Sequence, residues 1–332
     1  MATHVKGRHR IVILGGGSGG VVAATKLGRA LGADHDILLI DRRPEHVFMP
    51  SFLFLMVGQR RPGDIMRPLQ RLARRQVQVH QATVEGIEPQ RQVVVTDTGA
   101  VPYDHLIIAL GLQTLPSRIP GFVEAAHHPW ELPAALRLQA ALLEFQRGRV
   151  LIGVPPGPYR CPPAPYETQW VLDAFFHERG LRNQVEIEFF TRDPEPQGQP
   201  WEPSVWMAQR SNERGIQQHF GFVLDHIEPE QRLVRATDGR TLGYDLLIVV
   251  PPHQPAQPLI DSGLVSGVGG IKVDYDTLAT EWENVYAVGD CADLPASKAG
   301  VVAHQAAEVV AHNLITRLTG RGRPTSLRLH TI

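Results

Sequence analysis

A chain of 332 residues is long enough for two domains of ordinary size, and its 43% apolar content supplies a sizeable core. A formal net charge of −1 leaves no basic footprint for nucleic acid, and no apolar run approaches the roughly 18 residues of a membrane span. Two cysteines, Cys161 and Cys291, exclude a disulfide framework and any Cys-rich zinc or iron–sulfur site.

The 15 histidines are scattered; His304 and His312 share one face of a late helix, but no carboxylate completes a metal set, so no metal is expected. The N-terminus, MATHVKGRHR, is basic, and the apolar residues after it are too few for a signal-peptide core. A cytoplasmic protein is expected, with room for peripheral contact on the inner face of the membrane.

Residues 11–14, Ile-Val-Ile-Leu, read as a buried strand that stops at the glycine cluster GGGSGG. An alanine-rich helix from Val21 follows. Gly15, Gly17 and Gly20 fit G-x-G-x-x-G, in which the glycines permit the turn, the approach of a pyrophosphate and the packing of helix on strand. A second strand, Ile37–Ile40, ends at Asp41, about 20 residues past the last glycine, where a ribose hydroxyl is bound. The overlapping G-x-S-x-G around Ser18 would suit a hydrolase elbow, but it lies on the first strand and leaves Asp41 unexplained.

Phe48–Val57 reads as a loop and short helix near a cofactor, and Arg60–Arg75 as an amphipathic helix with a solvated arginine face. Residues 84–109 then repeat about 140 residues later as 224–249: Ile87-Glu88-Pro89 matches Ile227-Glu228-Pro229, and Tyr103-Asp104 matches Tyr244-Asp245. Each copy reads as a β-meander running into a buried strand. The fold class predicted is α/β, with two Rossmann-like dinucleotide-binding-type domains. The first is discontinuous, over 1–112 and 251–332, and the second covers 113–250.

That repeat calls for a second phosphate loop after the strand Val150–Val154. PPGPYRCPPAPYE stands there instead, and Pro155 and Pro156 lack the N–H groups that phosphates need. The next strand ends at Thr191 rather than an acid, so the second domain is expected to have lost its dinucleotide. Cys161 sits in this proline-stiffened loop. Residues 194–203 read as an exposed proline-rich loop and 251–258 as a hinge; Val285–Val288 leads to Gly289-Asp290, and a helix spans Gly300–Leu318.

The whole chain resembles the two-dinucleotide-binding-domain flavoproteins through GGGSGG, IIALG at 107–111 and VYAVGDCAD at 285–293. Within them it is most similar to the sulfide:quinone oxidoreductase and flavocytochrome c sulfide dehydrogenase flavoprotein family, through PYRCPPAPYE, FMPSFLFLMVGQRRPGDI and SKAGVVAHQAA. The resemblance implies FAD, bound by Gly15, Gly17, Ser18, Gly20, Asp41, Arg42, Pro50, Gly111, Asp290 and Lys298. It implies Cys161 over the flavin ring handling sulfur, with Glu167 as a nearby acid and Lys298 as a charge beside the flavin. The partners implied are a small-molecule sulfur donor and a quinone or other acceptor, and a homo-oligomer is expected. These enzymes usually carry a second redox cysteine in a C-terminal segment, for which Cys291 is a poor substitute, and that segment is read as absent. Two other functions stay open: an NAD(P)H:acceptor oxidoreductase of the same fold, and a flavin-binding subunit without turnover. The disulfide reductases share the fold, but their paired cysteines are missing.

Overall fold

The computed structural model describes residues 7–194, 202–266 and 269–328. In chain order, β1 (Arg10–Leu14) leads through the glycine turn to α1 (Ser18–Leu31) and β2 (Asp36–Asp41). A short helix, α2 (Phe52–Met56), precedes β3 (Val77–Gln81), the meander β4 (Val84–Glu88), β5 (Val93–Thr96) and β6 (Gly99–Pro102), and β7 (His105–Ile108). Next come β8 (Ala126–His127), α3 (Leu132–Glu144), β9 (Gly148–Val154), α4 (Ala164–Glu178), β10 (Val185–Thr191), α5 (Glu202–Glu213) and β11 (Gln217–His219). A second meander of β12 (Leu224–Glu228), β13 (Leu233–Ala236) and β14 (Thr241–Gly243) runs into β15 (Leu246–Val249). The series closes on β16 (Val285–Ala287) and α6 (Gly300–Thr319).

The chain divides into two compact units. The first takes the described residues up to Phe48, Met66–Gln113, and those from Gln254 on; the second takes Met49–Ile65 and Thr114–His253. Residues 49–65 thus depart from the sequence reading, which put them in the first domain. The reason is packing: Leu53, Met56 and Val57 bury with Leu138 and Leu142 of α3, and the Gln139 amide donates to the Leu55 carbonyl at 2.6 Å.

Unit one is built on a parallel sheet in the order β16-β7-β1-β2-β3. Ile11–Leu14 and Leu106–Ile108 are wholly buried, which is why these strands read as continuous apolar runs rather than alternating ones. Helices α1 and α6 pack on each other. They bury Ala23, Ala24, Leu27 and Leu31 from one and Ala306, Ala307, Val310 and Leu314 from the other, the three- and four-residue spacing of one helix face.

Unit two repeats the plan with β8-β15-β9-β10-β11, again parallel. Helices α3 and α4 supply Leu138, Leu142, Leu172 and Phe176 to its core. The internal repeat extends to hydrogen bonds. Asp104 accepts the Arg10 N–H at 2.6 Å and returns its own N–H to the Arg10 carbonyl at 2.9 Å; Asp245 and Arg149 do the same at 2.8 Å each. Both meanders carry a bulge at matching positions, Val84/Gly86 and Leu224/His226.

Two other sequence readings change. The stretch 60–75 is not one helix but a helical turn (Pro62–Ile65), a short strand (Met66–Pro68) and a 3-10 helix (Leu69–Arg75). Pro62 and Pro68 interrupt any continuous helix; the arginines at 67, 71, 74 and 75 remain exposed. The proline-rich loop expected at 194–203 lies mostly outside the described residues, and α5 has begun by Glu202. No helix among the described residues is long and apolar enough to cross a membrane.

Candidate functional site

In unit one the predicted cofactor residues gather at the carboxyl edge of the sheet. β1 is the switch point of its order, since the chain runs from β1 to β2 on one side and later to β7 on the other; open α/β sheets bind ligands at such points. At the end of β1, Gly15 adopts φ +99°. A β-carbon on Gly20 would meet the Gly15 carbonyl, so α1 can lie this close to β1 only without one. Gly17 is different: a β-carbon there would meet nothing within 4 Å. The cradle is open at Gly17 and shut at Gly20, as a bound pyrophosphate requires.

Helix α1 starts at Ser18 with no side-chain cap and no acid in its first turn. Its first N–H groups therefore remain available to an anion. Asp41 closes β2 beside them. Its Oδ2 accepts the Gly16 N–H at 2.6 Å and its Oδ1 the Arg43 N–H at 2.7 Å. Each oxygen keeps a lone pair for a hydroxyl. Arg42 is exposed next to it.

The second half of the edge comes from the end of β16. Val288 donates its N–H to the Ile108 carbonyl at 2.9 Å, and Gly289 turns the chain at φ +73° against Ala303 of α6. Asp290 stands half-buried after this turn. Gly111, also left-handed, follows β7. The Lys298 ammonium donates to the carbonyls of Ala292 at 2.6 Å and Gly269 at 3.2 Å. Burial lowers its pKa, and neighbouring Asp290 opposes that shift. Helix α6 begins two residues later, without an acid or a side-chain cap in its first turn. A β-carbon on Gly19 would stand 3.5 Å from the Ala303 carbonyl, so α1 and α6 begin side by side. An open cradle, two uncapped helix starts and a carboxylate with spare acceptors fit a dinucleotide.

Cys291 belongs elsewhere. It is fully buried in the core of unit one. Its thiol lies against the carbonyls of Val288 at 3.4 Å and Ile108 at 3.5 Å, and burial pushes its pKa up to about 11. Such a thiol is a packing group.

In unit two the equivalent edge has another chemistry. Between β9 and α4 the loop runs Pro155 to Pro163. Cys161 is half-buried at φ +58°, and its carbonyl accepts the Ala164 N–H at 2.9 Å at the start of α4. Glu167 lies in the first turn of that helix. Its side chain reaches solvent, yet the protein around it thins its water enough to push its pKa up. Pro50 is exposed in a 3-10 turn, Met49–Ser51, of the same unit.

Sequence reasoning did not find the residues that hold the Cys161 loop. The Trp130 ring N–H donates to the Arg160 carbonyl at 2.9 Å, and the Arg160 guanidinium donates to the Trp130 carbonyl at 2.9 Å. His128 and His253 are buried in this unit and kept neutral by burial, with pKa values lowered to about 4 and about 3. The His253 Nδ1–H donates to the Pro251 carbonyl at 2.7 Å. The one signal available was Arg160 beside the cysteine. Among the described residues no group of three or more His, Cys, Asp or Glu side chains could hold a metal ion.

The chain is 27% identical to the mitochondrial sulfide:quinone oxidoreductase of Mus musculus over 314 residues, 90% of this chain and 69% of that protein. It superposes on the crystal structure of the sulfide:quinone oxidoreductase of Aquifex aeolicus with a TM-score of 0.84 and 26% identity, covering 94% of this chain and 77% of the other. A shorter stretch of 115 residues, 33% of this chain and 24% of the relative, is 40% identical to a type II NADH:quinone oxidoreductase of Mycobacterium tuberculosis. The model of the family described as pyridine nucleotide-disulphide oxidoreductase matches residues 9–153 and 183–310. With its two parallel-sheet units and its glycine cradle at the switch point, the chain belongs to the pyridine nucleotide-disulphide oxidoreductase family.

Proposed function

We propose that this chain is an FAD-dependent oxidoreductase that takes an electron pair from sulfide, or a related reduced sulfur compound, and passes it to a quinone or another acceptor. One observation carries the reading. Cys161 is held left-handed in the loop where the first unit has its glycine cradle, in a chain similar over most of its length to sulfide:quinone oxidoreductases.

The residues of unit one suit FAD. The N–H groups after Gly17 would face the pyrophosphate, and Asp41 would hold the ribose hydroxyls. Asp290, Gly111 and Lys298 would hold the rest, Lys298 with its charge and with the one N–H its two carbonyl bonds leave over. Bound FAD supplies the sink for the electron pair.

Cys161 supplies the sulfur chemistry. Its thiolate is the reactive form. A bond forms between its Sγ and the sulfide sulfur, giving a persulfide; from one thiol and one hydrosulfide ion, two electrons and one proton leave. Glu167, in the first turn of α4 and with its pKa pushed up by burial, is the candidate to relay it. Anaerobic mixing with sulfide tests the proposal: the flavin should bleach in the parent and fail to do so at comparable speed in Cys161→Ser.

The similarity to an NADH:quinone oxidoreductase over a third of the chain favours a second reading, with NAD(P)H as donor. Pro155, Pro156 and the missing acid after β10 count against it, since they remove the groups that phosphates and ribose need. Bleaching by NADH but not by sulfide would select that reading, and bleaching by neither would select a flavin-binding subunit without turnover.

A further inference from the structure

Cys161 holds a backbone conformation that its local sequence opposes. A residue before proline is driven toward extended φ, and Pro162 follows Cys161 directly. A non-glycine residue at φ +58° is also strained, and such strain persists only where surrounding structure enforces it.

Two neighbours do so. The Trp130 ring N–H fixes the Arg160 carbonyl at 2.9 Å, and that carbonyl is one end of the Arg160–Cys161 peptide. Arg160 answers with its own donor to the Trp130 carbonyl at 2.9 Å, and its other terminal nitrogen lies 3.4 Å from Met49 Sδ. Trp130 is 6% exposed, and its backbone N–H donates to His128 Nδ1 at 3.3 Å. On the far side, the Cys161 carbonyl is tied to the Ala164 N–H at 2.9 Å. Both peptide planes around Cys161 are therefore anchored, which fixes where its Cβ and thiol point.

We infer that Trp130 and Arg160 are positioning residues for the Cys161 thiol, acting as a reciprocal clasp that keeps Cys161 left-handed. The inference rests on the reading of Cys161 as the sulfur-accepting thiol. Without the clasp, Cys161 relaxes toward the extended conformation that Pro162 favours. The thiol then leaves its half-buried position, becoming more open to any small electrophile and worse placed for electron transfer.

Iodoacetamide labelling of the holoprotein, resolved by mass spectrometry for each cysteine, tests this in Trp130→Phe and Arg160→Lys. The first removes the ring N–H and keeps an aromatic ring; the second keeps the charge and loses the two-pronged donor. Cys161 should label roughly tenfold faster in each, the scale of one lost hydrogen bond, while sulfide-driven flavin reduction falls by a similar factor. Buried Cys291 is the control for loosening of unit one, and amide exchange along β9 (Gly148–Val154) is the control for loosening of unit two: general loosening raises one or both, whereas release of the clasp exposes Cys161 alone. A Cys161 labelling rate unchanged in both variants overturns the inference. So does a rise shared equally, in both, with Cys291 or with exchange along β9. If Cys161→Ser is reduced by sulfide at the parental rate, the proposed function fails, and the labelling ratio still decides whether the clasp exists.

Discussion

Gly20 stacks so closely on Gly15 that a β-carbon on the first would strike the carbonyl of the second, while Gly17 between them faces open space. The two positions therefore separate folding from binding. Gly20→Ala should lose about 1–3 kcal/mol of stability through overpacking. Gly17→Glu should keep its helix signal by circular dichroism and lose FAD on purification, because a carboxylate then fills the place of the pyrophosphate. Full FAD content in Gly17→Glu would show that the cradle is not the binding site.

Buried neutral histidines give the protein an acid limit. His105 opens β7 at 3% exposure, with burial bringing its pKa down to about 4. The unfolded chain binds this proton near pH 6.5, so it takes up more protons than the folded state between the two values. Stability contributed by neutral His105 is thus present above pH 6.5 and is lost as pH falls toward 4, by up to about 3 kcal/mol. His105→Leu should flatten the dependence of Tm on pH across that window. An unchanged slope would mean that other groups set the acid limit.

The second unit makes a prediction about donors. Its loop presents prolines and a cysteine where the first unit presents N–H groups. NADH should reduce the flavin at least about a hundredfold more slowly than sulfide, the kind of gap left when no phosphate site is formed. Stopped-flow absorbance under argon reads both rates directly, and comparable rates would overturn the assignment of the loop.

Much of this was legible in the sequence, for reasons the residues show. The central strand stretches Ile11–Leu14 and Leu246–Val249 are buried on both faces, so they stand out as apolar runs. The repeat was visible because Asp104 and Asp245 perform the same backbone clamp on Arg10 and Arg149. Local signals failed where tertiary contacts decide. Nothing in 49–65 announces that its apolar side belongs against α3, and the helix expected over 60–75 takes no account of Pro62 and Pro68, which break it. Trp130 is invisible for a similar reason: 30 residues separate it from Arg160, whose place beside Cys161 is the one mark the pair leaves in the sequence. The left-handed state of Cys161 could not be read either, since Pro162 argues for the opposite.

The measurement that bears most directly on the account is anaerobic bleaching of the bound flavin by sulfide, in the parent, in Cys161→Ser and in Cys291→Ala. Cys161 is half-buried in a pinned loop, whereas Cys291 is sealed in the core. The account predicts rapid bleaching in the parent and in Cys291→Ala, and a rate at least about a hundredfold lower in Cys161→Ser, as expected when a nucleophile is removed from a covalent route. Equal rates in the parent and Cys161→Ser would contradict it.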